Sequence, residues 1–135
     1  MSYEVLSHTA DTGIVARGKT RDDLFVQAAE GMFSLMYEPT GSPTRSVAVA
    51  VGAESIEELL VEWLSELLYL SESREIAMER FEIERFEDGR VQGSASGTSF
   101  DRVQLTGPPV KAVTYHQLEV SEGPEGFRAR LIFDV

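Results

Sequence analysis

Residues 55–73, SIEELLVEWLSELLYLSES, constrain the fold more than any other stretch of this chain. Ile56, Leu59, Leu60, Trp63, Leu64, Leu67 and Leu68 recur at the spacing of one helix face, and Ser55 with Glu58 supplies a capping box at its start. A helix with an apolar stripe this wide has to lie against another layer. Trp63 and the leucines therefore read as core rather than as a cofactor-binding box.

A second helix is predicted by TRDDLFVQAAEGMFSLMY. Thr20 and Asp23 stand in an N-cap to N3 relation, and Leu24, Ala28, Met32, Leu35 and Met36 share a face. Pro39, Gly41 and Pro43 stop it. Everything else that is regular reads as strand: YEVLSH and GIVARG before this helix, and SVAVAV between the helices with Val47, Val49 and Val51 alternating. IAMERFEIERFE and RVQGSASGTSF follow across an Asp88-Gly89 hairpin signal, then a loop around Pro108 and Pro109. VKAVTYHQLEV and FRARLIFDV form a final antiparallel pair across SEGPEG.

The order is ββαβαββββ, and the fold class that follows is α+β. A mostly antiparallel sheet carries both helices on one face, and the strands from Ile76 onward have the length to curl into a second small sheet. No repeat or linker interrupts the chain, and 135 residues suffice for one good core, so residues 1–135 are expected to be a single domain.

Charge narrows the partners. Lys plus Arg number 12 against 23 Asp plus Glu, and a net charge of -11 opposes autonomous binding to a phosphate backbone. It suits a cation or a basic protein surface instead. With no cysteine, thiolate nucleophiles and sulfur-ligated metals are excluded. The N-terminus MSYEVLSHTA has no basic region ahead of an apolar core, and no stretch approaches the roughly 18 to 20 apolar residues of a membrane span. A cytoplasmic protein without membrane contact is the expectation.

Four polar residues stand where a site is plausible: His8, Asp11, His116 and Asp134. SHTADTG, residues 7–13, is either a turn capped by its own side chains or the start of a site. His116 shares strand parity with Val110, Ala112, Thr114, Leu118 and Val120, which points it into an apolar layer as a core histidine with one hydrogen bond. Lys111 lies on the opposite parity and reads as a solvated lysine.

Asp134 follows the apolar run Leu131, Ile132, Phe133, so the end of the chain is expected to dock in the sheet, with Asp134 beside the free carboxylate of Val135. Two such anions repel. A carboxylate from Asp11 beside them would complete an oxygen donor set that suits a hard cation such as calcium or magnesium. Only pairing of the first and last strands would bring Asp11 there.

Catalytic signatures are missing: there is no G-x-S-x-G elbow, P-loop, dinucleotide fingerprint or H-E-x-x-H. Ser7, His8 and Asp11 crowd into one turn, a poor geometry for a proton relay. A small metal-dependent hydrolase using His8 and Asp11 ranks last among the readings.

Four blocks in register carry a resemblance: HTAD at residues 8–11, WLSELLYL at 63–70, KAVTYH at 111–116, and the final Asp134-Val135. Together they resemble the archease family over essentially the whole chain. The resemblance implies a non-catalytic accessory protein for the RNA-splicing ligase that works through a guanylylated histidine. It would promote that guanylylation and repeated turnover in tRNA splicing or RNA repair. The alternative it carries is a general chaperone for RNA-modifying enzymes such as tRNA methyltransferases.

The family's metal site maps onto Asp11, Asp134 and Val135, with calcium the expected ion and magnesium or manganese the alternatives. The implied partner is the ligase, with no direct nucleic-acid contact, and the free protein is expected to be a monomer. Two positions depart from the family pattern. Thr12 replaces a β-branched apolar residue, and Thr98 replaces a Glu, which would alter docking if that Glu touches the partner.

Overall fold

Both helices begin where their capping residues dictate. Helix α1 (Arg21–Ser34) follows Thr20, whose Oγ1 accepts the Asp23 N–H at 3.1 Å, and α2 (Ile56–Arg74) follows Ser55, whose Oγ accepts the Glu58 N–H at 3.1 Å. The computed structural model describes residues 1–7 and 12–135; His8, Thr9, Ala10 and Asp11 lie outside the described residues.

Around the helices run β1 (Ser2–Ser7), β2 (Thr12–Gly18), β3 (Arg45–Gly52), β4 (Ile76–Glu87), β5 (Arg90–Ser99), β6 (Ala112–Gly123) and β7 (Gly126–Asp134), with one short 3-10 turn at Phe100–Arg102. The strands make two antiparallel sheets, a four-stranded one ordered β1-β2-β7-β6 and a three-stranded one ordered β3-β5-β4. The element order is the expected one, and the second sheet recruits β3 as well as the strands from Ile76.

Each helix packs on both sheets: α1 against β2 and β4, α2 against β6 and β3. One core results, with Trp63, Phe25, Leu24, Leu60, Leu64 and Leu67 fully buried in it. The Trp63 indole N–H donates to the Phe25 carbonyl at 3.1 Å and so ties α2 to α1. None of the described helices is long and apolar enough to cross a membrane.

Bulges set which residues reach the core. After the buried Ile76 and Ala77, the buried or half-buried apolar residues of β4 are Met78, Phe81, Ile83 and Phe86, and the register shifts between Met78 and Arg80 and again between Ile83 and Arg85. Each shift inserts one residue, Glu79 or Glu84, and restores the apolar side chain to the inner face. Gly97 and Gly93 of β5 stand opposite Met78 and Ile83. A Cβ on either would collide with a β4 carbonyl, that of Ala77 or of Glu82. Only glycine allows so close an approach.

A larger irregularity in β6 overturns the expectation for His116. Thr114 pairs with Ile132 and Glu119 with Arg130, so residues 115–118 face Leu131 alone, and Gln117 adopts a left-handed conformation at φ 53°. Val113 packs toward the core before this bulge, Leu118 at its last residue and Val120 after it. The simple alternation that placed His116 inside is broken between those residues, and His116 is exposed.

Candidate functional site

β7 is a central strand, and its apolar residues explain why. Leu131, Ile132 and Phe133 are 0%, 3% and 1% exposed, so consecutive side chains are buried on both faces of the sheet. The docking of the terminal strand expected from these residues is what the fold contains. The strand ends at Asp134, opposite Ala112 of β6, and the Asp134 carbonyl accepts the Lys111 N–H at 2.7 Å. Asp134 and Val135 are exposed beyond this clamp.

On the other flank of β7, Thr12 of β2 stands opposite Phe133. Thr12 is the residue after Asp11, and Phe133 the residue before Asp134. The last strand therefore pairs with β2 and not, as expected for an Asp11–Asp134 site, with the first strand, and β2 begins at the residue after Asp11. Asp11 and His8 themselves lie outside the described residues. Among the described residues, no group of three or more His, Asp or Glu is placed to hold a metal ion.

The KAVTYH segment lies at this same end of the sheet. The Thr114 Oγ1 donates to the Ile132 carbonyl at 2.9 Å and accepts the His116 N–H at 3.2 Å, so the bulge is pinned to β7 immediately before Asp134. WLSELLYL has a different role: Trp63, Leu64 and Leu67 are core, and of the block's bulky residues Tyr69 is the exposed one, at 64%. Thr98, where the family pattern has a Glu, is buried at 3% exposure in β5. Its hydroxyl has no hydrogen-bond partner among the described residues.

Sequence reasoning missed a cleft of about 260 Å³ where β1, the end of α1 and β4 meet, lined by Tyr3, Glu30, Phe33, Tyr37, Glu79 and Phe81. Burial pushes the Glu30 carboxyl up from its ordinary 4.5, against a hydrogen bond from Gln27. Burial also pushes up Glu79, but bonds from Thr40 and Gly41 and the nearby Arg80 outweigh it and hold that carboxyl below 4.5. The four aromatic residues come from β1, α1, the segment just after α1 and β4, and nothing in their sequence spacing signals that they meet.

The sequence matches the Archease protein family (MTH1598/TM1083) over residues 3–135. It is 38% identical to the protein archease of Methanosarcina barkeri, covering 98% of this chain and 95% of that protein. It is 31% identical to the protein archease of Archaeoglobus fulgidus, with 100% of both chains covered. Among solved structures, the solution structure of Methanobacterium thermoautotrophicum protein 1598 superposes with a TM-score of 0.83 at 29% identity, over 98% of each chain. A Thermotoga maritima crystal structure described as an archease, possible chaperone, shares the fold with a TM-score of 0.67 at 18% identity, over 96% of this chain and 94% of that one.

Proposed function

Because the chain belongs to the archease family, we propose that it is a non-catalytic cytoplasmic accessory protein that activates an RNA-splicing ligase. It promotes guanylylation of the ligase's active-site histidine, so that the enzyme turns over repeatedly in tRNA splicing or RNA repair. The observation that carries this reading is the β2–β7 register, with Thr12 opposite Phe133. It supports a single site built from Asp11, Asp134 and the Val135 carboxylate.

All three donors are carboxylates, the class that suits calcium, with magnesium or manganese as alternatives. A bound cation would supply positive charge at an otherwise anionic end of the sheet. The partner is a protein surface rather than RNA, because a net charge of -11 repels phosphate. Attraction to a basic ligase surface would steer the encounter and weaken with salt.

The test is the rate of GTP-dependent guanylylation of the cognate ligase with sub-stoichiometric wild type, Asp11→Ala or Asp134→Asn, each checked for fold. Stimulation by wild type that is lost in both variants is expected. Calcium should raise the melting temperature of wild type and not of the variants, by mass action on the folded state. A folded wild type that stimulates nothing refutes the activator reading.

The second reading, a chaperone for RNA-modifying enzymes such as tRNA methyltransferases, is favoured by Tyr3 and Val5, 36% and 51% exposed on edge strand β1. It predicts aggregation suppression that Asp11→Ala leaves intact.

A further inference from the structure

The cleft at the end of α1 points to a ligand that involves neither metal nor RNA. The lining rings Phe81, Phe33 and Tyr37 stack on one another, at 5.6 Å and 6.5 Å between centroids and within 22° of parallel, with Phe33 and Phe81 buried at 2% and 5% exposure beneath the half-buried Tyr37. Tyr3 comes from the other sheet, and Gly31 makes room for it. A Cβ at that position would meet Tyr3 Cγ at 3.0 Å and Ile14 Cδ1 at 2.9 Å.

The charged side chains lining the cleft are two carboxylates, Glu30 and Glu79. Glu30 is half-buried, and its one hydrogen bond among the described residues comes from the buried Gln27, Nε2 to Oε2 at 3.1 Å. Glu79 accepts the Thr40 N–H at 2.9 Å, the Thr40 hydroxyl at 2.7 Å and the Gly41 N–H at 2.8 Å, so its bonds hold the neighbouring loop. Neither carboxylate belongs to an ion pair within 4.0 Å among the described residues. The last turn of α1 carries no basic residue, which leaves the negative end of the helix dipole uncompensated beside the cleft.

We propose that this cleft binds the guanidinium group of an arginine side chain presented by a partner protein. Aromatic faces attract cations, and a planar guanidinium stacks on a ring while donating to a carboxylate; Tyr3, 36% exposed, and the half-buried Tyr37 are the rings of the cleft open to it. Glu30 is the carboxylate with acceptor capacity to spare. At about 260 Å³ the cleft is smaller than the roughly 300–1,000 Å³ that holds a drug-sized ligand, and it has room for one side chain. β1 and β4 are the outer strands of their sheets, so the cleft opens between two strand edges along which an extended partner segment can lie. The charge of -11 favours a basic segment there.

The test is NMR titration of the full chain with N-acetyl-arginine methylamide, its uncharged citrulline counterpart, the lysine counterpart, and spermidine. The arginine probe is expected to shift the ring signals of Tyr3 and Tyr37 and the Glu30 amide, with the citrulline probe about tenfold weaker. Glu30→Gln should weaken the arginine probe about fivefold with the fold unchanged, since a charge-assisted bond becomes a neutral one. Tyr3→Ala, on an exposed edge, should weaken it independently.

Equal binding of citrulline, tighter binding of lysine or spermidine, or no shift from millimolar arginine probe each overturns the proposal. The titration contains no ligase, RNA or metal. Its failure therefore leaves the activator reading standing, and failure of that reading leaves the cleft untouched.

Discussion

Replacing Trp63 by Phe separates a structural role for the WLSELLYL block from a functional one. Trp63 is 0% exposed, and its indole N–H donates to the Phe25 carbonyl at 3.1 Å. Losing that bond costs about 1 kcal/mol net. The smaller ring also leaves a void beside Phe25, whose ring lies 6.4 Å from Trp63 and packs edge-on to Phe86 at 4.9 Å. Complete truncation of a buried aromatic costs about 3–5 kcal/mol, and a phenyl replacement retains more than half of that packing, which leaves about 1–2 kcal/mol for the void. The total is about 2–3 kcal/mol, or a melting temperature lower by about 10 °C in a domain of this size. Trp63 is the sole tryptophan, so urea unfolding is followed by far-UV circular dichroism rather than by fluorescence. The midpoint should fall at constant slope, and ligase stimulation per folded molecule should be unchanged. Full stability combined with lost stimulation would refute the assignment of this block to the core.

Three further outcomes follow from single side chains. Thr98→Val removes a buried hydroxyl that has no partner among the described residues, and should raise stability by roughly 1 kcal/mol in the same urea assay, while Thr98→Glu should lower it by several. Glu79 has a carboxyl held below its ordinary 4.5 in the folded state, so its stabilising contribution is complete above pH 4.5 and fades as pH falls through the lower folded value. Glu79→Gln should thus be less stable than wild type at pH 7, with the difference shrinking below pH 4.5 in parallel melts. Appending one alanine after Val135 moves the terminal carboxylate by about 3.5 Å. Melting should be unchanged without metal, because β7 ends at Asp134, and the calcium-induced rise should disappear.

The elements legible in the sequence are those whose causes are local. Thr20 with Asp23 and Ser55 with Glu58 cap the helices where their spacing says they must, because the partners are three residues apart. Period-two alternation identified strands and their buried faces, but it carries no information on which sheet a strand joins. β3 pairs with β5, which follows it in the chain only after α2 and β4, so the choice is a long-range one. Bulges divide the same way. The apolar spacing of Met78, Phe81, Ile83 and Phe86, three, two and three, is readable as two insertions opposite Gly97 and Gly93. The β6 bulge turns on a left-handed Gln117, a residue type that does not announce such a conformation, and His116 was misplaced for that reason.

The site shows the same division between pattern and pairing. The apolar run at Leu131, Ile132 and Phe133 revealed that the last strand docks, because side chains buried on both faces require a central strand. That it docks between β2 and β6 is a long-range fact, and it matters to chemistry. A strand with one free flank leaves its backbone more room to move than one paired on both sides. Here pairing of Phe133 with Thr12 on one flank, and of Asp134 with Ala112 on the other, fixes the backbone in advance. The Lys111 N–H on the Asp134 carbonyl and the Thr114 hydroxyl on the Ile132 carbonyl extend that restraint to the last strand residue. The KAVTYH segment thus contributes as a clamp on β7 through its backbone and Thr114, which accounts for its place beside Asp134 without requiring His116 to point inward.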